Sequence, residues 1–274
     1  MKRPQLVASD VDGTLLNPAE RISDRTRAAV HRVVAAGVPF VLVTGRPPRW
    51  IPPIIELLGY AGTVICANGA VRYDAAIDQI CHAVALDPVQ LRDAAAAVDT
   101  VLPGAKFAVE LVRWCAGDPA EGQEFNQFLA EPGYTHPWPG ADFHLAPRHT
   151  LLARPAIKML VRQPGSSSDA MAVAIRSIVG AELAVTFSTG HGLIEISAPG
   201  VTKATGLALL ATELDVPPAD VVAFGDMPND LSMLQWAGWG VAMANAHPAL
   251  LAAADEVTAP NFEDGLALIL ERWF

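Results

Sequence analysis

The stretch Gln5-Leu6-Val7-Ala8-Ser9-Asp10-Val11-Asp12-Gly13-Thr14-Leu15 decides the fold. Residues 5–9 form a short apolar run that stops at Asp10, the pattern of a buried strand with a polar tip. Two later stretches repeat it. Residues 38–43 are wholly apolar, as in a strand covered on both faces, and lead straight into Thr44-Gly45-Arg46. Pro39 near the start of that run is tolerable, because the first residues of a strand can spare a donor. Val221–Gly225 leads into Asp226-Met227-Pro228-Asn229-Asp230. Helix signals separate the runs: Ser23 can cap a helix over 24–36 closed by Gly37, and Thr202 a helix over 203–214. Strand, helix, strand at this spacing predicts parallel pairing through right-handed crossovers.

Residues 63–67 add another short strand. Beyond Asp226, 229–236 reads as helix, 241–244 as extended and 263–273 as helix. The middle of the chain has a different rhythm. Helices are expected over 88–99 and 169–179, with strands over 106–112, 157–161, 183–187 and 193–196. Residues 113–150, rich in Gly, Pro, Trp and His, show little periodicity. The expected architecture is α/β, a Rossmann-like parallel-sheet core formed by 1–84 and 198–274. An inserted α+β cap domain, 85–197, interrupts it.

Composition narrows the function. At 274 residues, with 51% hydrophobic and only 18% charged, the chain has enough apolar surface to fold around a core. A net charge of −10 with no compensating Lys/Arg cluster argues against a nucleic-acid partner. No apolar run of about 18 residues survives the interspersed Gly, Pro and charge, so no membrane partner is expected. The chain reaches Asp10 and Asp12 before any adequate apolar stretch, so no ordinary secretory leader is expected either. Cys66, Cys81 and Cys115 lack metal or redox spacing and read as buried thiols in a reducing, cytoplasmic compartment.

In an open parallel sheet, ligands sit beyond the carboxyl ends of the strands. If the three runs are neighbours, their tips bring Asp10, Asp12, Asp226 and Asp230 into one small volume. Four carboxylates repel strongly unless a cation lies among them. An all-oxygen donor set favours Mg2+ over zinc. On an extended backbone, side chains two apart share a side, so Asp10 and Asp12 can face one substrate. One carboxylate can attack phosphorus to give an acyl phosphate. A second can protonate the leaving group and then deprotonate water. Gly13 permits the tight turn this approach needs. Thr44 offers a hydroxyl, Gly45 an N–H, and Lys203 an ammonium at a helix start, all suited to a phosphate.

Asp10-Val11-Asp12-Gly13-Thr14-Leu15 resembles the first motif of the haloacid dehalogenase superfamily. Thr44-Gly45-Arg46, Lys203 and Gly225-Asp226-Met227-Pro228-Asn229-Asp230 resemble its second, third and fourth, in the same order. The spacing is similar to the Cof-type (IIB) branch, whose α/β cap lies between motifs two and three. Asn68-Gly69-Ala70, Asn245-Ala246 and Glu263-Asp264-Gly265 also resemble that branch. The resemblance implies a Mg2+-dependent phosphatase acting on small phosphorylated metabolites, such as sugar phosphates, through an aspartyl-phosphate. It implies Asp10 as nucleophile and Asp12 as general acid/base. The metal falls to Asp10, Asp12 (through its carbonyl) and Asp226, with Asp230 close by. Thr44, Gly45, Lys203 and Asn229 fall around the phosphoryl group, and Arg46, Asn68 and Gly69 near the substrate.

Taken singly, these features have plainer readings. An Asp-x-Asp-Gly loop alone is usually a turn or a calcium-like motif, Asn68-Gly69 a tight turn, and Lys203 a solvated lysine. Asn245-Ala246 and Asp264-Gly265 read as structural, at turn or capping positions. Trp50, Trp114 and Trp138 can line a pocket or fill a core, and the acidic stretch at 118–124 reads as a solvated surface. Two other functions share the core: a phosphomutase or phosphotransferase with a hydroxyl acceptor, and a phospho-acceptor signalling module without turnover. Only the joint, ordered occurrence of the motifs selects an enzyme.

Overall fold

The computed structural model describes residues 2–112, 127–137 and 143–274. It divides into two compact units, Met1–Ile80 with Thr202–Phe274, and Cys81–Val201. Cys115, Trp114, Trp138 and the acidic stretch at 118–124 lie outside the described residues.

The first unit opens with β1 (Leu6–Ser9), buried along its whole length. The Ser23 hydroxyl accepts from the Thr26 N–H and starts α1 (Asp24–Ala35), where Asp24 complements the helix dipole. β2 (Phe40–Val43), α2 (Pro52–Leu58), β3 (Thr63–Cys66), β4 (Val71–Asp74) and β5 (Gln79–Ala83) follow. Between β3 and β4 the chain reverses at Ala67–Gly69, and β4 pairs antiparallel with β3. That hairpin departs from the strand-helix alternation because Ala67, Asn68 and Gly69 are all left-handed, with φ of 49°, 57° and 104°. Cys66 is buried as expected, but Cys81 is exposed, because it lies on β5 at the sheet's edge.

The second unit begins with α3 (Pro88–Val101), capped reciprocally by Asp87 and Gln90. Then come β6 (Lys106–Leu111), β7 (Gln127–Ala130), β8 (His144–Leu145) and α4 (Arg148–Leu151). β9 (Lys158–Arg162), α5 (Ser168–Val179), β10 (Ala184–Thr186) and β11 (Leu193–Ser197) complete it. The strands form a six-stranded sheet in the order β10-β11-β9-β6-β7-β8. Residues 127–137 and 143–150, the described part of 113–150, are therefore less irregular than their composition suggests. They supply β7, β8 and α4, elements too short for a hydrophobic period to show.

The chain returns to the first unit with α6 (Lys203–Glu213), β12 (Val221–Gly225), α7 (Leu231–Trp236) and β13 (Trp239–Ala242). α8 (Pro248–Ala253), β14 (Glu256–Val257) and α9 (Gly265–Leu270) end it. Its sheet has eight strands in the order β14-β13-β12-β1-β2-β3-β4-β5. β12, β1, β2 and β3 run parallel. Leu6 and Ala8 of β1, Val41 and Val43 of β2 and Ala223 of β12 pack against Leu207 and Leu210 of α6 and Met233 of α7. From β1 the chain steps outward one way through β2 and β3, and later the other way through β12, β13 and β14. The order reverses between β1 and β12, where an open parallel sheet leaves a crevice outside its carboxyl ends.

Two helices differ from the sequence reading. Residues 228–230 form a 3-10 turn ahead of α7, since Asp230 uses its carboxylate on the backbone of its own loop. At the C-terminal end Asp264 is left-handed, with φ of 60°, so α9 starts only at Gly265. Among the described residues no helix is long and apolar enough to cross a membrane.

Candidate active site

Each polar tip lies at the carboxyl end of its strand: Asp10 after β1, Thr44 after β2, Asn68 after β3 and Asp226 after β12. The Asp10 N–H donates to Phe224 O at 3.0 Å, so the β1–β12 ladder carries Asp10 to the edge of the crevice. Thr202 and Thr205 cap α6 reciprocally, and Lys203 is its first residue. Its ammonium is fully buried and donates to Asp10 Oδ1 at 2.6 Å and Asp230 Oδ1 at 2.5 Å. The other oxygen of Asp230 accepts from the N–H groups of Asp226 and Met227, both at 3.0 Å. Asp226 accepts from the Thr14 hydroxyl at 3.0 Å.

Oxygens of Asp10, Asp226 and Asp230 all lie within 4.8 Å of one another, and all three residues are buried. Against three carboxylates stands one ammonium. Burial, then the charge of Asp230, raises the Asp10 carboxyl well above its ordinary value despite Lys203. Burial and the same neighbour push Asp226 up to about 7. Burial alone would lower Lys203, but Asp10 and Asp230 outweigh it and hold the ammonium protonated. Such a site keeps protons it would surrender to a cation. Gly13, at φ 78°, brings the backbone so close that a Cβ there would lie 2.1 Å from Asp226 Oδ2. The three carboxylates offer only hard oxygen donors, so the cluster fits a hard divalent cation.

Asp12 stands apart. Its carboxylate is more than half exposed and receives both Nε and Nη2 of Arg46, at 2.9 and 2.6 Å. The sequence reading grouped four aspartates together; the structure brings together the carboxylates of Asp10, Asp226 and Asp230 and leaves that of Asp12 outside. Thr44 is fully buried, and its hydroxyl oxygen accepts from the Arg46 N–H at 3.0 Å. Gly45 is half-buried in the same loop.

The Asn229 Nδ2 donates to Asn68 Oδ1 at 3.0 Å, so Asn229 ties the acidic loop to the turn after β3. Its own Oδ1 is buried without a hydrogen-bond partner. Gly69 supports Lys203 from below: a Cβ there would lie 2.1 Å from Thr202 O, and Gly206 of α6 is packed against the Gly69 Cα. Gly206 carried no signal of its own in the sequence, since a glycine inside a helix shows its purpose only when its neighbour is known. Gly69→Ala combines a left-handed φ with a backbone clash. It is expected to lower stability by about 2–5 kcal/mol, measured by denaturant unfolding, and to lower activity through the displaced Lys203.

Residues 7–270 match a family described as haloacid dehalogenase-like hydrolase. A 5-amino-6-(5-phospho-D-ribitylamino)uracil phosphatase of Bacillus subtilis is 28% identical, over 98% of this chain and 95% of that protein. An HMP-PP phosphatase of Cronobacter sakazakii is 28% identical, over 90% of this chain and 87% of that one. The structure of a haloacid dehalogenase-like hydrolase from B. subtilis matches with a TM-score of 0.80 at 25% identity, covering 98% of this chain and 100% of that one.

Proposed function

The chain belongs to the Cof-type branch of the haloacid dehalogenase-like hydrolases, as a phosphomonoester hydrolase, and from that premise we propose that it is a Mg2+-dependent phosphatase of small phosphorylated metabolites working through an aspartyl-phosphate on Asp10. The observation that carries this reading is the separation of the two aspartates of the first loop. Asp10 is buried against Lys203, whereas the Asp12 carboxylate is more than half exposed, paired with Arg46 where a substrate oxygen can reach it. One suits a nucleophile and the other a proton carrier.

Asp10, Asp226 and the Asp12 carbonyl would hold the cation, with Asp230 fixing Lys203 and the loop beside them. When bound, Mg2+ supplies positive charge that keeps Asp10 ionised and offsets the charge of the phosphoryl group. Lys203 orients the Asp10 carboxylate. A free Asp10 oxygen attacks phosphorus, the ester P–O bond breaks, and Asp12 gives its proton to the departing oxygen. Asp12 then takes a proton from water, whose oxygen attacks phosphorus and breaks the bond to Asp10, releasing phosphate. The Thr44 hydroxyl, whose proton is committed to no partner among the described residues, and the Gly45 N–H steady the phosphoryl oxygens. Arg46, already on Asp12, lies where it can set that carboxylate's reach. Sugar phosphates or similar monoesters are the substrate class, with water as acceptor, in a reducing, cytoplasmic setting that the cysteine spacing supports.

Chelation is expected to abolish turnover across a panel of phosphate esters, and Mg2+ to restore it better than Ca2+, whose looser coordination misplaces the attacking oxygen. Full activity in excess chelator contradicts the reading. Cation binding should also show in stability. Burial keeps a proton on Asp226 up to about 7 in the folded chain, while the unfolded chain releases it near about 4. Between these the folded chain binds more protons, so metal-free stability falls as pH rises through the window. Mg2+ competes with that proton, so its stabilising shift in Tm should be larger at about pH 8 than at about pH 5. A shift independent of pH contradicts this assignment.

A further inference from the structure

Asn245 takes no part in the chemistry above, yet it touches the loop that performs it. Its side-chain Nδ2 donates to Gly13 O at 2.8 Å. Its Oδ1 accepts from the Asn261 N–H at 2.9 Å, and Asn261 Nδ2 donates to Leu16 O at 2.7 Å. Two carbonyls of the segment after Asp12 are thus held by two linked amide side chains. The backbone of the Asn245 loop also holds the other acidic loop: Met243 N–H donates to Gly225 O at 3.1 Å and His247 N–H to Asp226 O at 2.7 Å. Beyond Asn261, Asp264 accepts from Ser23 and Thr26 at 2.5 and 3.3 Å, anchoring this end of the chain to α1.

The segment needs such a brace at one place. Asp12 projects toward solvent and is held there by Arg46, itself a long and flexible side chain. The next joint is Gly13 at φ 78°, and a glycine left to itself samples a wide range of φ and ψ. Asp12 and Gly13 lie inside the turn that the Leu15 and Leu16 N–H groups close on Val11 O, at 3.0 and 2.8 Å. Rotation at that joint would strain the turn and shift Asp12 relative to Asp10, which the β-ladder holds still. Proton transfer requires hydrogen-bond reach, and a small displacement removes it.

We infer that Asn245 is a positioning residue for Asp12: by fixing the Gly13 carbonyl it locks the glycine joint and keeps the Asp12 carboxyl in reach of the leaving oxygen and the attacking water. The inference rests on the acid/base role of Asp12 proposed above. A purely structural brace would affect all substrates alike; a brace for the acid affects those that need a proton.

Asn245→Ala, at an exposed position, should leave Tm nearly unchanged. Turnover of an alkyl phosphate should fall about tenfold at unchanged KM. The phenolate burst from an activated aryl phosphate, which leaves without a proton, should keep its rate within about twofold. Asn261→Ala should reproduce the pattern more weakly, because it removes the support of Asn245. Equal losses with both esters, or no loss with the alkyl ester, overturn the inference whenever Asp12→Asn itself separates the two. If Asp12→Asn does not separate them, the acid/base role has failed and the positioning role fails with it.

Discussion

Asp10→Asn is expected to abolish turnover of every phosphate ester, by at least about four orders of magnitude, because the covalent route has no substitute nucleophile. Asn is nearly isosteric with Asp, and the neutral amide relieves repulsion among three buried carboxylates. Lys203 keeps its partner in Asp230. The folded state should therefore be retained, and Tm should stay level or rise. That combination, no activity with undiminished stability, separates loss of chemistry from loss of fold. Steady-state assay and thermal unfolding of the same preparation measure it. Residual activity near that of the unsubstituted protein would mean that Asp10 is not the attacking group.

Asp12→Asn should act differently, according to the leaving group. An alkyl phosphate departs as a poor alkoxide and needs a proton, so its transfer to Asp10 should slow by roughly 10²–10⁴. An activated aryl phosphate departs without help, so the first step should survive. Water then lacks its base, and phosphorylated protein should accumulate after a burst of about one phenolate per site. Rapid mixing with absorbance detection follows the burst. The exposure of Asp12 matters here, because a surface carboxylate outside the buried cluster can be neutralised without disturbing that cluster. Equal turnover of both ester types at the unsubstituted rate would remove Asp12 from the mechanism.

The central strands were legible because burial on both faces leaves an unbroken apolar run, as in β1, β2 and β12. Ser23 and Thr202 were legible because a hydroxyl at a helix start has one clear purpose. The ordered motifs, with the strand ends as a guide, led to Asp10, Thr44, Lys203 and Asp226. Sequence could not show that the Asp12 carboxylate would part from the others. Its pairing with Arg46, 34 positions away, depends on β1 and β2 lying side by side. Nor could it show that Asn229 would spend its amide nitrogen on Asn68, 161 positions away.

The same limit hid the partner of Asn245 and the purpose of Gly206. Asn245-Ala246 reads from the sequence as a turn or capping position, and only the fold shows the Gly13 carbonyl, 232 positions away, accepting from Asn245. Gly206 weakens a helix by itself and is explained only by the backbone of Gly69 against it. Short elements failed for a simpler reason. β8 and β14 have two residues each and α4 four, fewer than one hydrophobic period requires.

The central claim is that phosphorus is bonded to Asp10 during the reaction. Asp12→Asn protein, mixed rapidly with an activated aryl phosphate and quenched in acid, can be weighed intact and then digested to find the modified peptide. One added phosphoryl group per chain, on the peptide that carries Asp10, is the expected result. A phosphoryl group on another residue, or continued phosphate release with no phosphorylated protein at any time, would contradict the account.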